Sequence, residues 1–361
     1  MKTRMKLHLI YIAIVAVVAT ACENEIPYNP GQREPLLIMN ALLDAGHTEN
    51  YVCLNLSAGD NIGRVNEGTL AIYVNGKLAE SPQAMTSEET CLKFRLTTPF
   101  RPGDVLRLEA TAENGKYHVS SEVTVPRPIE NIKVDTCLAY LRVYNGQELY
   151  RQYKITMQDR PNEKNYYRLE ILNNFSYRCL YREYLEDEDG HLIQVPTEDG
   201  WDWAHIVKED FMTDSKTELI NREDVILTDG HPGNYDDEEN GMFPTIDNKY
   251  NIFTDNRFKN SSVTLKVYTP HYENHYPTET QRYYDQIYRT QTIIVRVLTL
   301  TEDEYRYLNA LNYLDDDDYD NTLMEPVSLP SNVKGGLGFV GVCAETTATI
   351  EFPETPRWHW E

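Results

Sequence analysis

Residues 106–119 read LRLEATAENGKYHV. Leu106, Leu108, Ala110 and Ala112 alternate with Arg107, Glu109 and Thr111, so one face is apolar and the other polar. That period of two belongs to a half-buried strand. Asn114-Gly115 follows as a hairpin signal, because both positions tolerate positive φ. Val119, Val123 and Val125 then carry the alternation back. The pattern extends toward the N-terminus through Val52, Leu54 and Leu56, then Leu70, Ile72 and Val74 before Asn75-Gly76, then Leu92, Phe94 and Leu96. Pro102-Gly103-Asp104 is a further turn. Short strands at this spacing predict an immunoglobulin-like β-sandwich over residues 35–127, ended by Pro126-Arg127-Pro128.

Residues 128–361 predict a larger, β-rich α+β domain, so the chain as a whole is mainly β. Alternating strands are read at Tyr153, Ile155 and Met157, at Tyr167, Leu169 and Ile171, at Val263, Leu265 and Val267, and at Ile293, Val295 and Val297. Between 185 and 260 the chain is acidic and rich in turn residues, with EDEDG at 186–190 and DDEEN at 236–240. Thr301-Glu302-Asp303-Glu304 is a capping box, which predicts a helix over 301–314 with Tyr307, Leu308, Leu311 and Leu314 on its apolar face. Asp315 to Asp318 oppose the helix dipole and are placed beyond the last turn.

The N-terminus reads as a lipoprotein signal peptide over residues 1–21. Lys2, Arg4 and Lys6 precede an apolar run from Leu7 to Val18, and Ala19-Thr20-Ala21 offers small residues at the cut. Cys22 then becomes the lipidated first residue, and residues 22–34, polar and holding Pro27 and Pro30, form a tether. An ordinary secretory signal with an incidental Cys22 is the alternative.

The chain has 361 residues and a formal charge of −23, and removing residues 1–21 takes away basic residues only. Such acidity argues against nucleic acid and against lying flat on anionic lipid. The 26 tyrosines suit strands and contact surfaces alike. With Cys22 acylated, Cys53, Cys91, Cys137, Cys179 and Cys343 remain; the absence of CxxC argues against zinc, and an odd number leaves a free thiol. Cys53 and Cys91 both fall on polar strand faces, and a bridge between them is one of several open pairings.

The candidate constellations are few. Gly335-Gly336-Leu337-Gly338 lacks the Lys-Ser/Thr of a phosphate loop and reads as close backbone packing. His271 and His275 have the spacing of a helical zinc motif, but Pro270 and Pro277 exclude the helix. Asp316, Asp318 and Asp320 have calcium-loop spacing, although Asn321 stands where such a loop needs Gly; a solvated acidic loop is the competing reading, and no other cofactor is expected. Asp187, Asp189 and His191 form a weaker set. Trp201 and Trp203, one residue apart, share a strand face and are the candidate ligand- or partner-binding residues; packing of their loop onto the domain is the alternative. Trp358 and Trp360 carry the same ambiguity. No Ser-His-Asp or Cys-His arrangement emerges, so no catalytic residue is expected.

Several stretches together resemble a family of Bacteroidota lipoproteins, domain of unknown function 4249. They are Pro102 to Ala110 with Val123 to Pro126 and Ile129 to Val134, Asn165 to Leu169, Phe253 to Asp255, LTLTEDEYRYLNALNYL at 298–314, Glu325-Pro326-Val327, and SNVKGGLGFVGVCA at 331–344. Val105, where the family carries an aromatic, and the doubled Gly335-Gly336 depart from its pattern. Glu23 and Glu25 resemble the sorting context of cell-surface lipoproteins. The resemblance implies a lipid-anchored, non-catalytic outer-membrane protein that accompanies a TonB-dependent transporter and assists nutrient uptake. An independent surface glycan-binding or adhesion module is the alternative, and a hydrolase is a third.

Overall fold

The structure, a computed structural model, describes residues 34–58, 61–85, 91–143, 146–221, 223–228, 248–273, 275, 284–315 and 327–357. The signal peptide, Cys22, nearly all of the tether, Asp316, Asp318, Asp320, Trp358 and Trp360 lie outside the described residues. Among the described residues the fold is mainly β, with several sheets, one C-terminal helix and no closed barrel.

The first part of the chain holds β1 (Leu37–Asp44), β2 (Asn50–Ala58), β3 (Asn61–Arg64), β4 (Gly68–Val74), β5 (Lys77–Glu80), β6 (Leu92–Leu96), β7 (Val105–Ala112) and β8 (Tyr117–Thr124). One sheet has the order β5-β4-β7-β8, while β1, β2, β3 and β6 belong to another. The two share a core of Leu37, Met39, Val52, Leu54 and Phe94 from one side and Leu70, Ile72, Leu106, Leu108 and Ala110 from the other. Period-two alternation therefore does what it predicts: each strand turns its apolar set inward. Both Asn-Gly pairs form the expected turns, with φ of 51° and 77° at Asn75 and Gly76 and 57° and 80° at Asn114 and Gly115. Cys53 and Cys91 form a disulfide across 5.7 Å between Cα atoms, next to the β2–β6 pairing.

The second part holds β9 (Ile132–Val143), β10 (Gly146–Gln158), β11 (Tyr166–Tyr184), β12 (Gln194–Thr197), β13 (Gly200–Trp203), β14 (His205–Thr217), β15 (Ile252–Thr254), β16 (Ser262–Pro270), β17 (Gln286–Leu300), helix α1 (Glu302–Leu314) and β18 (Val340–Arg357). The sheet β16-β10-β9 faces β11 and β17 across a second core that includes Tyr153, Ile155, Tyr167, Leu169, Val267 and Val295. The stretches Asn165–Leu169 and Phe253–Asp255 meet at its end. Asn165 Nδ2 donates to Asp159 Oδ1 at 3.1 Å and reaches Asp255 Oδ2 at 3.5 Å, and the Tyr167 hydroxyl donates to Asp159 at 2.9 Å.

Strand β18 joins the two halves. Its start pairs parallel with β1, from Ala41↔Val340 to Asp44↔Cys343, and the remainder pairs antiparallel with β17. The result is one nine-stranded sheet whose main path runs β14-β11-β17-β18-β1-β2-β3. Val333, Val340, Val342 and Ala344 thereby complete the first core. The glycines before β18 press against the backbone: a Cβ on Gly335 would meet His118 O, and one on Gly336 would meet Leu37 O. Close packing, not phosphate binding, accounts for them.

Helix α1 starts as the capping signal predicts, with Glu304 N donating to Thr301 Oγ1 at 3.2 Å. Its glutamate departs from the expected box. Glu304 is buried and accepts from the N–H of Val342. The packed stripe is also more polar than predicted: Glu304, Leu308 and Asn312 are buried at four-residue spacing, while Leu314 is exposed. Asn312 earns that position by hydrogen bonding, accepting from Tyr250 N and donating to Asn248 Oδ1, both at 3.1 Å.

Candidate functional site

Strand β11 outruns its sheet. Its pairing with β17 ends at Leu180↔Gln286, whereas its pairing with β14 continues to Tyr184↔His205. The intervening chain folds back on itself as a two-stranded extension. Leu185 N donates to Ala204 O at 2.8 Å, Ile193 N to Leu185 O at 3.0 Å, and Ala204 N to Ile193 O at 2.7 Å. Beyond these bonds β12 and β13 pair from Gln194↔Trp203 to Thr197↔Gly200. Local chemistry fixes the turns. Asp187 Oδ1 accepts from Asp189 N at 3.0 Å and His191 N at 2.9 Å, and Gly190 and Gly200 sit at φ of 82° and 137°. Short polar side chains bonding to nearby amides are what let such turns close without a core.

This arm has no interior of its own. Every residue from Arg182 to Trp203 is exposed. Trp201 and Trp203 alternate to the same side of β13, opposite Pro196 and Gln194, and are 71% and 40% exposed. Their side chains therefore present ring surface to solvent. Leu192, Ile193 and Val195 in the arm are exposed as well, as are Ile206, Val207 and Phe211 on β14. Tyr184 meets His205 edge to face at 6.0 Å between centroids. Large apolar side chains exposed together on one projection make the arm the candidate contact region.

The base of the arm is firm. Phe175, Tyr177, Cys179, Tyr284 and Ile287 are buried together beneath it. His275 packs on Phe175 at 4.7 Å between centroids and places Nε2 2.6 Å from Asp214 Oδ2. Burial works against the Asp214 charge, but the bonds from His275 and Ser215 hold its carboxyl below the usual range overall. Burial, and then the Asp210 carboxylate, push the Cys179 thiol up to about 11, so it is not a thiolate at neutral pH. Burial likewise raises the Cys343 thiol. Cys137 is the exposed free cysteine among the described residues.

The other sequence candidates fall elsewhere. Asp187, Asp189 and His191 do come together at the arm's first turn, with ligand atoms within 4.8 Å of one another and all three residues exposed. His271 and His275 follow β16, and among the described residues no helix lies between them. A cluster that sequence reasoning missed is Asp44, His47 and Glu345, whose ligand atoms also lie within 4.8 Å of one another. Its charge is met from within: Arg296 Nε donates to Glu345 at 2.6 Å, Nη1 to Glu170 at 2.7 Å, and Nη2 to Asp44. No local spacing signals this cluster, because its members come from four strands and a turn.

Residues 23–349 match the model of a family described as a domain of unknown function, DUF4249. Comparison with curated proteins returns no match.

Proposed function

We propose, for a chain that belongs to the DUF4249 family over residues 23–349, a non-catalytic role as a lipid-anchored accessory protein of the outer membrane of Bacteroidota. In this reading Cys22 carries the lipid and the tether sets the reach. The folded body docks to a TonB-dependent transporter and assists nutrient capture or uptake, at the cell surface. The role needs no cofactor. The observation that carries it is the exposed arm, with Trp201 and Trp203 turned to solvent while most other aromatics among the described residues are buried or partly buried. A contact surface of that kind works best when its partner is held close. Anchoring both proteins in one membrane turns a bimolecular encounter into a local one, so modest contacts give stable docking.

Affinity purification of the tagged full chain from detergent-solubilised outer membranes tests the reading, with mass spectrometry of the bound proteins and of the Cys22 peptide. Recovery of a large β-barrel transporter in near-equal amount, with Cys22 acylated, is expected. Recovery of the acylated chain alone overturns stable docking. A second reading rests on the same tryptophan pair, whose open faces suit stacking on a sugar ring. It requires the chain to bind a glycan by itself and to lose that binding with Trp201→Ala and Trp203→Ala.

A further inference from the structure

We infer that the arm's partner is a basic protein surface, steered by the arm's carboxylates and held by its apolar side chains. The inference rests on the docking reading for the location of the site, and on separate observations for the partner's chemistry.

The first observation is charge. Residues 185–204 contain seven Asp and Glu residues and no Lys or Arg. The nearest cations at the base are already engaged, Arg182 with Asp285 at 2.9 Å and Lys208 with Glu183. A one-signed field over an exposed projection attracts the opposite sign and accelerates encounter. It also repels a second copy of the same arm and an anionic lipid surface.

The second observation is the kind of apolar surface. Sugar sites rely on aromatic faces and hydrogen-bonding groups, whereas this arm exposes aliphatic area as well, at Leu192, Ile193, Val195, Ile206 and Val207. Apolar side chains combined with charged ones are the pattern of protein contacts. The third is the sheet edge. Strand β14 ends the nine-stranded sheet, and among the described residues no named strand pairs with its outer side. A strand at the end of a sheet can accept an added strand.

Site-specific photo-crosslinking tests this in cells that make the full chain. The probe is p-benzoylphenylalanine at position 201 or 207, with position 78 on β5, also exposed, as the control. Expected is a cross-link from 201 and 207, not from 78, into one protein segment where Lys and Arg outnumber Asp and Glu. Neutralising the first turn with Glu186→Gln, Asp187→Asn, Glu188→Gln and Asp189→Asn should lower the yield about threefold or more. Raising salt from about 50 to about 500 mM, measured on isolated membranes, should lower the wild-type yield and shrink that difference. Cross-links into an acidic or neutral protein surface, a saccharide, a second copy or the same chain overturn the inference. So does an absence of cross-links, or a yield indifferent to neutralisation. The two proposals fail separately. A transporter recovered by affinity purification but cross-linked only from position 78 keeps the docking reading and sinks this one. A basic partner that is not a barrel does the reverse.

Discussion

Glu304 is buried under the start of β18, and its Oε2 has no hydrogen-bond partner. The side chain points inward because Gly341 leaves room for it: a Cβ there would come within 2.9 Å of the Glu304 carboxyl carbon. Burial dominates its titration. Against the opposing pull of Arg168, burial and the nearby Asp44 carboxylate push its carboxyl up to about 8 from an ordinary value of 4.5. Between those two values the folded protein holds a proton that the unfolded chain has released, so this residue's effect on stability worsens as pH rises from 4.5 toward 8. Glu304→Gln removes the titration while keeping the shape. Urea unfolding of both proteins at pH 5 and pH 8 should show the variant gaining on wild type at the higher pH, by on the order of 2 kcal/mol. Equal differences at the two pH values would mean that Glu304 ionises without penalty. Gly336→Ala belongs to the same scale and has the opposite character. Its Cβ would collide with the Leu37 carbonyl and Val119, which are backbone and core. A loss of more than about 2 kcal/mol, read by the same unfolding assay, is expected at any pH.

Elements differ in how far they depend on the rest of the molecule. Helix α1 is held at its start by the Thr301 hydroxyl, so Thr301→Ala should cost about 1 kcal/mol in urea unfolding. The arm contributes no buried side chain to any core. Replacing residues 186–203 with Asn-Gly, between Leu185 and Ala204, should leave the melting temperature within about 3 °C of wild type and abolish recovery of the partner. A large drop in melting temperature would show that the arm braces the sheet. Strands β2, β4, β6, β7 and β8 and their turns were legible in the sequence because one face of each is buried and Asn-Gly closes two of the hairpins. Trp201 and Trp203 were legible as residues sharing a face, but not the side to which that face turns. The two-stranded arm was also hidden, because β12 and β13 are only four residues each and owe their shape to hydrogen bonds between distant carbonyls and amides. The buried stripe of α1 was misread at Leu314 for a related reason: Asn312 is buried by its partners Tyr250 and Asn248, which no helical period announces.

At the scale of the whole molecule, the two sandwiches meet along β18, and Arg296 of β17 is the charge that joins them. Its guanidinium binds Asp44 at the end of β1, Glu170 on β11 and Glu345 on β18. The Arg296 side chain is 11% exposed and the carboxylates 15–19%, so water shields them only in part. Neither this cluster nor the parallel β1–β18 pairing has a local sequence signal, since each depends on residues about 250 to 300 positions apart. Arg296→Met keeps much of the apolar stem and removes the charge. Three carboxylates then face one another beside Arg168, 3.0 Å from Glu170, and His47, 3.6 Å from Asp44. Losing one partner of a desolvated ion cluster costs more than the cluster contributes, because the remaining charges stay where they are. The expected loss at pH 8 is roughly 2–4 kcal/mol. Hydrogen exchange of the variant should show β1 and the start of β18 opening together while β7 and β8 stay protected, because the lost contacts lie at the join and not in either core. A deficit well under about 1 kcal/mol, or opening spread evenly over both sandwiches, would mean that apolar packing along β18 carries the join and that the arginine merely decorates it.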